Sequence, residues 1–195
     1  MLVKRSLLIL LFLAFIISCG GDKKDPVCFV GDSLVAGWDV RQYFIGRVVS
    51  NEGVSGARVE DVLSWNIDGS GKDIVLLIGT NNLQLGANGE FSPEFYEDFL
   101  SKYEQIVENF HANRVFAISI LPRSFEKDPV SLNEQIIELN NRLKKMLESK
   151  SSVYFVDVYH EFLYKGGMNP NYSYDGLHLN DLGYSRLSAL LLKVI

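Results

Sequence analysis

Asp73-Ile74-Val75-Leu76-Leu77-Ile78-Gly79-Thr80-Asn81-Asn82 is an unbroken apolar run that stops at a glycine and three polar residues. A strand with one face in water alternates polar and apolar side chains. A run without alternation reads as a strand buried on both faces, as in a parallel sheet covered by helices. Pro26 to Val30, Arg47 to Ser50, Arg114 to Leu121 and Val153 to Val158 read as four further strands. Amphipathic segments lie between them. Ser92-Pro93 combines an N-cap serine with a first-turn proline, and Phe95, Phe99, Tyr103, Ile106 and Phe110 then recur on one helix face. Leu132, Ile136, Leu139, Leu143 and Met146 mark a second helix. Leu187, Leu190, Leu191 and Val194 mark a third, starting at Asn180 or Asp181. Short strands alternating with helices predict one α/β domain, a three-layer α/β/α sandwich on a five-stranded parallel sheet.

Ligands bind such sheets beyond the C-terminal ends of the strands. That edge collects the polar oddities of this sequence: Ser33 after the first strand, Gly53 and Gly56 after the second, Gly79 to Asn82 after the third and Pro122-Arg123 after the fourth. Gly31-Asp32-Ser33-Leu34 alone is ordinary turn chemistry. Its placement after a buried run is what exposes the Ser33 side chain, with Gly31 turning the chain, Asp32 bracing the turn and Leu34 packing. Asn51-Glu52-Gly53-Val54-Ser55-Gly56 offers a glycine whose N–H can approach a ligand. Asn81 can aim its amide at developing negative charge.

Asp175-Gly176-Leu177-His178 sets a carboxylate three residues before a histidine. A carboxylate there can bond the ring's Nδ1–H and leave Nε2 to face a nucleophile. An Asp-Gly surface turn entering the last helix is the plainer reading, and the two are compatible. Two histidines compete. His111 sits at a helix tail, where a cation suits the dipole. His160 opens His160-Glu161-Phe162-Leu163-Tyr164, a near miss to the HExxH zinc motif with tyrosine at the second histidine position. Three histidines in the chain and no cysteine cluster give no credible zinc site. No metal or organic cofactor is expected.

Taken in order, Ser33 in Gly-Asp-Ser-Leu, Gly56, Asn81 in Gly-Thr-Asn-Asn, and Asp175 with His178 in Asp-Gly-Leu-His-Leu-Asn resemble the blocks of the SGNH (GDSL) hydrolases. The resemblance runs from residue 26 to about residue 190. Gly-Thr-Asn-Asn is similar to the branch that holds platelet-activating-factor acetylhydrolase-type esterases, although some members carry Asp where Asn82 stands. The resemblance implies a flavodoxin-like SGNH hydrolase fold and a serine ester hydrolase. It implies Ser33, His178 and Asp175 as nucleophile, base and orienting acid, and the Ser33 N–H, Gly56 N–H and Asn81 side chain as oxyanion hole. Substrate specificity does not transfer with a fold.

Two loops, Pro122 to Pro129 and Tyr159 to Tyr174, are the expected pocket walls, with Arg123, Tyr172 and Tyr174 as candidates. Arg123 either meets an anionic group or faces solvent. Trp38 either walls the acyl site or packs beneath the first helix, the latter being favoured. Three activities suit these features: removal of short acyl groups, such as O-acetyl, from envelope glycans or small esters; lipolysis or thioester hydrolysis of longer chains; and a non-catalytic lipid-anchored binding protein on the same scaffold.

The N-terminus reads as targeting. Lys4 and Arg5 precede an apolar run from Leu7 to Ile17. That is short for a membrane span, which needs about 20 residues, and suited to a signal peptide core. Ile16-Ile17-Ser18-Cys19-Gly20-Gly21 resembles the bacterial lipoprotein signal, although an ordinary secretory leader or an uncleaved anchor shares the apolar run. The resulting expectation is a signal over residues 1–18, a lipidated Cys19, a tether over 19–25 and the hydrolase domain over 26–195. The protein would then be held on a membrane of the cell envelope, facing the periplasm or exterior, with Cys28 as its buried free thiol. The net charge of −5, with no basic cluster, argues against nucleic-acid partners. Nothing specifies an oligomer, and a monomer is expected.

Overall fold

The computed structural model describes residues 24–126, 128–129 and 131–195. The expected signal segment and Cys19 lie outside the described residues. Five parallel strands, β1 (Val27–Gly31), β2 (Val49–Gly53), β3 (Asp73–Leu77), β4 (Arg114–Ile118) and β5 (Val153–Val156), form one sheet in the order β2-β1-β3-β4-β5. This is the flavodoxin-like order, with its topological switch point between β1 and β3.

Side-chain alternation along the central strands explains why their sequences are continuously apolar. Cys28 and Val30, Ile74 and Leu76, and Val115 and Ala117 face one core. Val27 and Phe29, Val75 and Leu77, and Phe116 and Ile118 face the other. Helices α3 (Val59–Ser64), α4 (Pro93–Asn109) and α5 (Leu132–Leu147) cover the first face. Helices α1 (Ser33–Ala36), α2 (Val40–Tyr43), α6 (Tyr159–Phe162) and α7 (Asp181–Leu191) cover the second.

The helix boundaries follow local chemistry. Ser92 Oγ accepts from the Phe95 N–H at 3.2 Å and Pro93 opens α4. Asn180 Oδ1 accepts from the Gly183 N–H at 2.9 Å to start α7. The stripes shift slightly from the expected ones: Tyr96 and Val107 join the buried face of α4, and Leu147 that of α5, with Phe95 and Met146 only partly buried. The last helix ends at Leu191, which leaves Val194 exposed.

β2, β4 and β5 depart most from the sequence reading, β5 by ending at Val156 rather than Val158. β2 begins at Val49 rather than Arg47, runs to Gly53 and is largely solvent-exposed. As an edge strand it gains its registry from pairing Val49–Gly53 with Val27–Gly31, so its polar Ser50, Asn51 and Glu52 sit within the strand rather than after it. β4 stops at Ile118, three residues early, because Asn140 takes over the next backbone groups. Its Oδ1 accepts the Ile120 N–H and its Nδ2 donates to the Ile120 carbonyl, both at 2.9 Å. At the opposite edge of the sheet, the buried Asp73 takes a bidentate pair from Arg114. Among the described residues Cys28 is buried and unpaired, and burial pushes its thiol up despite a hydrogen bond from Ser50. Among the described residues, no helix is long and apolar enough to cross a membrane.

Candidate active site

β1 ends at Gly31, and the chain turns there into α1, so that Ser33 is the first residue of a short helix. Asp32 caps this helix: its Oδ1 accepts the Leu34 N–H at 2.9 Å. The same turn is held from beneath, where the buried Tyr184 hydroxyl donates to the Leu34 carbonyl at 3.0 Å. Two backbone bonds tie the neighbouring strand ends to it, Val54 N–H to Gly31 O at 2.9 Å and Asp32 N–H to Leu77 O at 3.4 Å. The switch point of the sheet is therefore a single braced platform under Ser33.

Ser33 Oγ lies 3.1 Å from His178 Nε2. On the far side of the ring, His178 Nδ1 lies 2.7 Å from Asp175 Oδ2. The other carboxylate oxygen, Asp175 Oδ1, accepts the backbone N–H groups of Leu177 and His178 at 2.9 and 2.7 Å. Burial alone would push the Asp175 carboxyl up, but the bonds from the His178 ring, the His178 N–H and the Leu177 N–H together outweigh it and hold the group below its ordinary value. Asp175 is therefore a carboxylate at neutral pH, fixed by three donors and aimed at Nδ1. The His178 and Asp175 side chains remain 41% and 38% exposed, so the site is open to solvent.

The loop carrying this pair is itself pinned. Ser173 Oγ donates to the His178 carbonyl at 2.7 Å and accepts the Gly176 N–H at 2.9 Å. The Ser124 N–H donates to the Gly176 carbonyl at 2.8 Å. Gly176 adopts φ +85°, and a Cβ there would meet the Ser124 carbonyl oxygen at 2.4 Å. Glycine is thus required by both backbone and space. Phe125 presents its ring edge-on to His178 at 6.3 Å.

Asn81 belongs to a single 3-10 turn after β3. Its Nδ2 donates one hydrogen to the Ala57 carbonyl at 2.9 Å, which fixes the amide and leaves the second hydrogen for another acceptor. Asn82 locks the same two segments together, with Oδ1 accepting the Val59 N–H at 3.1 Å and Nδ2 donating to Glu60 at 2.8 Å. Gly56, beside Ala57, adopts φ +81° with open space on the side of a Cβ. Among the described residues, neither the Ser33 N–H nor the Gly56 N–H is taken by a protein acceptor.

The remaining candidates fall elsewhere. Arg123 borders a cavity of about 220 Å³ with Ser124, Asp128 and Gly167, but its guanidinium is committed. Nε and one terminal nitrogen hold Asp128 at 3.0 and 2.9 Å, and the other donates to the Thr80 carbonyl at 2.8 Å. Tyr172 packs its ring on Phe162 in the second core. Tyr174 is 73% exposed, and its N–H donates to the His178 carbonyl. Trp38 is buried under α1 and donates to Ser188 Oγ at 3.0 Å. His160 lies exposed on α6, its ring 5.4 Å from that of Tyr159, and His111 follows α4. Among the described residues, no three His, Cys, Asp or Glu side chains gather to hold a metal ion. The sequence reading did not single out Ser173, Ser124 or Asn51. Asn51 Nδ2 donates to the Val35 and Trp38 carbonyls at 2.8 and 2.9 Å and so anchors α1 to β2.

Residues 29–186 match the GDSL-like Lipase/Acylhydrolase family. Among solved structures, a Streptococcus pneumonia protein provisionally assigned as a platelet activating factor is similar at 25% identity. The likeness covers 89% of this chain and 86% of that one, with a TM-score of 0.69. A catalytic mutant of Axe2, an acetylxylan esterase from Geobacillus stearothermophilus, shares the fold at 17% identity and a TM-score of 0.67, over 87% of this chain and 93% of that one. An N-acylneuraminate cytidylyltransferase of Escherichia coli O18:K1:H7 is 24% identical over 89% of this chain, which spans 41% of that relative's length.

Proposed function

Since the chain belongs to the GDSL-like lipase/acylhydrolase family, and is thereby a carboxylic ester hydrolase, we propose that Ser33, His178 and Asp175 are its catalytic triad and that it removes short acyl groups, acetyl foremost, from hydroxyls of envelope glycans or small alcohols. The observation that carries this reading is the continuous hydrogen-bonded line from Ser33 Oγ through the His178 ring to Asp175 Oδ2, at 3.1 and 2.7 Å.

The geometry supports two-step acyl transfer. With Nδ1–H donated to Asp175, Nε2 carries the lone pair that accepts the Ser33 proton as Oγ attacks the ester carbonyl. Asp175 stabilises the imidazolium. The oxyanion takes the Ser33 N–H, the Gly56 N–H and the second Asn81 amide hydrogen, donors already fixed before the substrate arrives. His178 then protonates the leaving alcohol, and water, deprotonated by the same nitrogen, releases the acid.

A short acyl group suits the half-exposed triad. Each added methylene gains about 0.8 kcal/mol only where it is buried.

A chain-length series of p-nitrophenyl esters tests both points. Acetate should exceed octanoate steeply in kcat/KM, and Ser33→Ala should be inert. The reverse length preference would favour lipolysis, and equal rates for wild type and variant would sink the triad. The proposed membrane anchor rests on Leu7 to Cys19. Radiolabelled fatty acid should enter the wild-type protein and not Cys19→Ala, and label in both would remove the lipoprotein reading.

A further inference from the structure

Two cavities meet at one side chain outside the triad. The first, about 310 Å³, is lined by Val54, Ser55, Gly56, Ala57, Asp61 and Trp65. The second, about 410 Å³, is lined by Trp65, Asn66, Ile67, Asp68, Asn109, Phe110 and His111. Both fall in the size range of small-molecule sites, about 300–1,000 Å³. Trp65 follows the last turn of α3, its N–H bonded to the Val62 carbonyl at 3.1 Å, and it packs only partly on the core. It is therefore half-buried against the core and borders both cavities.

We propose that this track is a sugar-binding groove for the leaving-group side of the substrate, with Trp65 as the platform on which a pyranose ring stacks. The proposal rests on the esterase reading above and narrows its substrate to an acylated oligosaccharide. A pyranose offers a flat face of C–H groups and a rim of hydroxyls, so it needs one apolar plane flanked by hydrogen-bonding groups. Trp65 is the plane. Around it stand the Ser55 hydroxyl, the Asn66 and Asn109 amides and the carboxylates of Asp61 and Asp68. Asp61 spends Oδ2 on the Arg58 N–H at 2.8 Å, and among the described residues no protein donor takes Oδ1. The walls mix apolar Val54, Ala57, Ile67 and Phe110 with these polar groups, a mixture that suits a sugar's C–H faces and hydroxyls together better than an acyl chain alone. The groove begins at Gly56, whose N–H faces the reacting carbonyl in the mechanism above. Gly56 thus joins the proposed oxyanion site to the first cavity, and Trp65, shared by both cavities, joins the first sugar position to a second.

The test has a binding arm and a kinetic arm. The chain has two tryptophans, and Trp38 is fully buried, so a ligand that alters fluorescence reports on Trp65. Titrating Ser33→Ala protein with tetrasaccharides of xylose and of N-acetylglucosamine should give a saturable change with at least one of them, and octanoate should give none. In the kinetic arm, Trp65→Ala should raise KM for the O-acetylated tetrasaccharide at least tenfold and keep kcat/KM for p-nitrophenyl acetate within twofold. Trp65→Phe, which keeps a ring, should recover most of the loss. Equal losses on both esters, or an unmoved KM for the sugar ester, would overturn the groove. So would wild-type protein that cleaves p-nitrophenyl acetate but neither binds nor deacetylates either tetrasaccharide. Wild type inert toward p-nitrophenyl acetate as well would instead bring down the esterase reading on which the groove depends.

Discussion

His178 Nε2 and Ser33 Oγ stand 3.1 Å apart although 145 residues of chain separate them. The distance is kept by independent clamps on the two partners. Asp32 and Tyr184 hold the turn that carries Ser33. Ser173 and Ser124 hold the loop that carries His178. Two side chains fixed from different elements suit the nucleophile and base proposed above, since such positioning is how a barrier is lowered without rearrangement.

Removal of any triad member should therefore lose nearly the whole effect of the triad. Ser33→Ala and His178→Ala should each lower kcat on p-nitrophenyl acetate by at least about 10³-fold, with the double variant scarcely worse, since residues acting as a unit are not additive. Asp175→Asn should lose about 10²–10⁴-fold because an amide accepts poorly from Nδ1–H and favours the wrong tautomer. Additive losses in the double variant would show that the two side chains act separately.

Asn81 should affect kcat and leave KM nearly unchanged. Its amide is fixed on the Ala57 carbonyl, so its free hydrogen gains an acceptor only as the carbonyl oxygen becomes an oxyanion. Asn81→Ala should lower kcat by about 10²–10³-fold, as loss of one oxyanion donor does. Asn82, whose amide is spent on Val59 and Glu60, should matter chiefly for stability. A larger kcat loss in Asn82→Ala than in Asn81→Ala would reverse these roles.

The distribution of these parts explains which of them the sequence exposes. Ile74 to Ile78 has to be apolar at every position because both faces are covered, so the central strands are readable without any contact map. Ser33, Asn81 and the Asp175–His178 pair are readable because each directly follows a strand or lies within one turn of its partner. β2 is displaced from its reading because an edge strand buries little, and pairing with β1, not hydrophobicity, sets its register. Ser173 bonds within its own turn, to His178 and Gly176, where a serine is ordinary turn chemistry. Ser124 holds Gly176 across a long stretch of sequence, and Trp65 borders a cavity shared with Asn109 and His111, so nothing local distinguishes either from an ordinary surface residue.

Arg123 belongs to the same class. From sequence it is a loop cation that either meets an anionic group or faces solvent, and the structure pairs its 13% exposed side chain with an Asp128 side chain 14% exposed. Breaking a largely buried pair leaves the partner charge uncompensated and costs about 3–5 kcal/mol when fully buried. Arg123→Ala should therefore lower stability by about 2–4 kcal/mol in denaturant melts and move KM for p-nitrophenyl acetate less than twofold. Arg123→Lys should recover little, since one ammonium cannot replace the bidentate contact. A variant of wild-type stability with a raised KM would return Arg123 to the substrate pocket.

Asp32 imposes a pH dependence on the fold itself. Its side chain is 1% exposed, and among the described residues Oδ2 has no hydrogen-bond partner. Burial pushes the carboxyl up to about 7, against the lowering pull of the Leu34 N–H and the His178 charge. A carboxyl with a raised folded-state pKa binds its proton more tightly in the folded than in the unfolded chain. Its contribution is therefore most favourable below about pH 4, where both states are protonated. It is lost as pH rises toward 7 and constant above, the loss being on the order of 2–4 kcal/mol. Asp32→Asn keeps an oxygen for the Leu34 N–H and cannot ionise. Urea melts from pH 4 to pH 8 should show the wild type losing stability across that window relative to the variant, which becomes the more stable of the two near pH 8. Parallel curves would mean that Asp32 is ionised in the native protein throughout the range, with a donor for Oδ2 in solution.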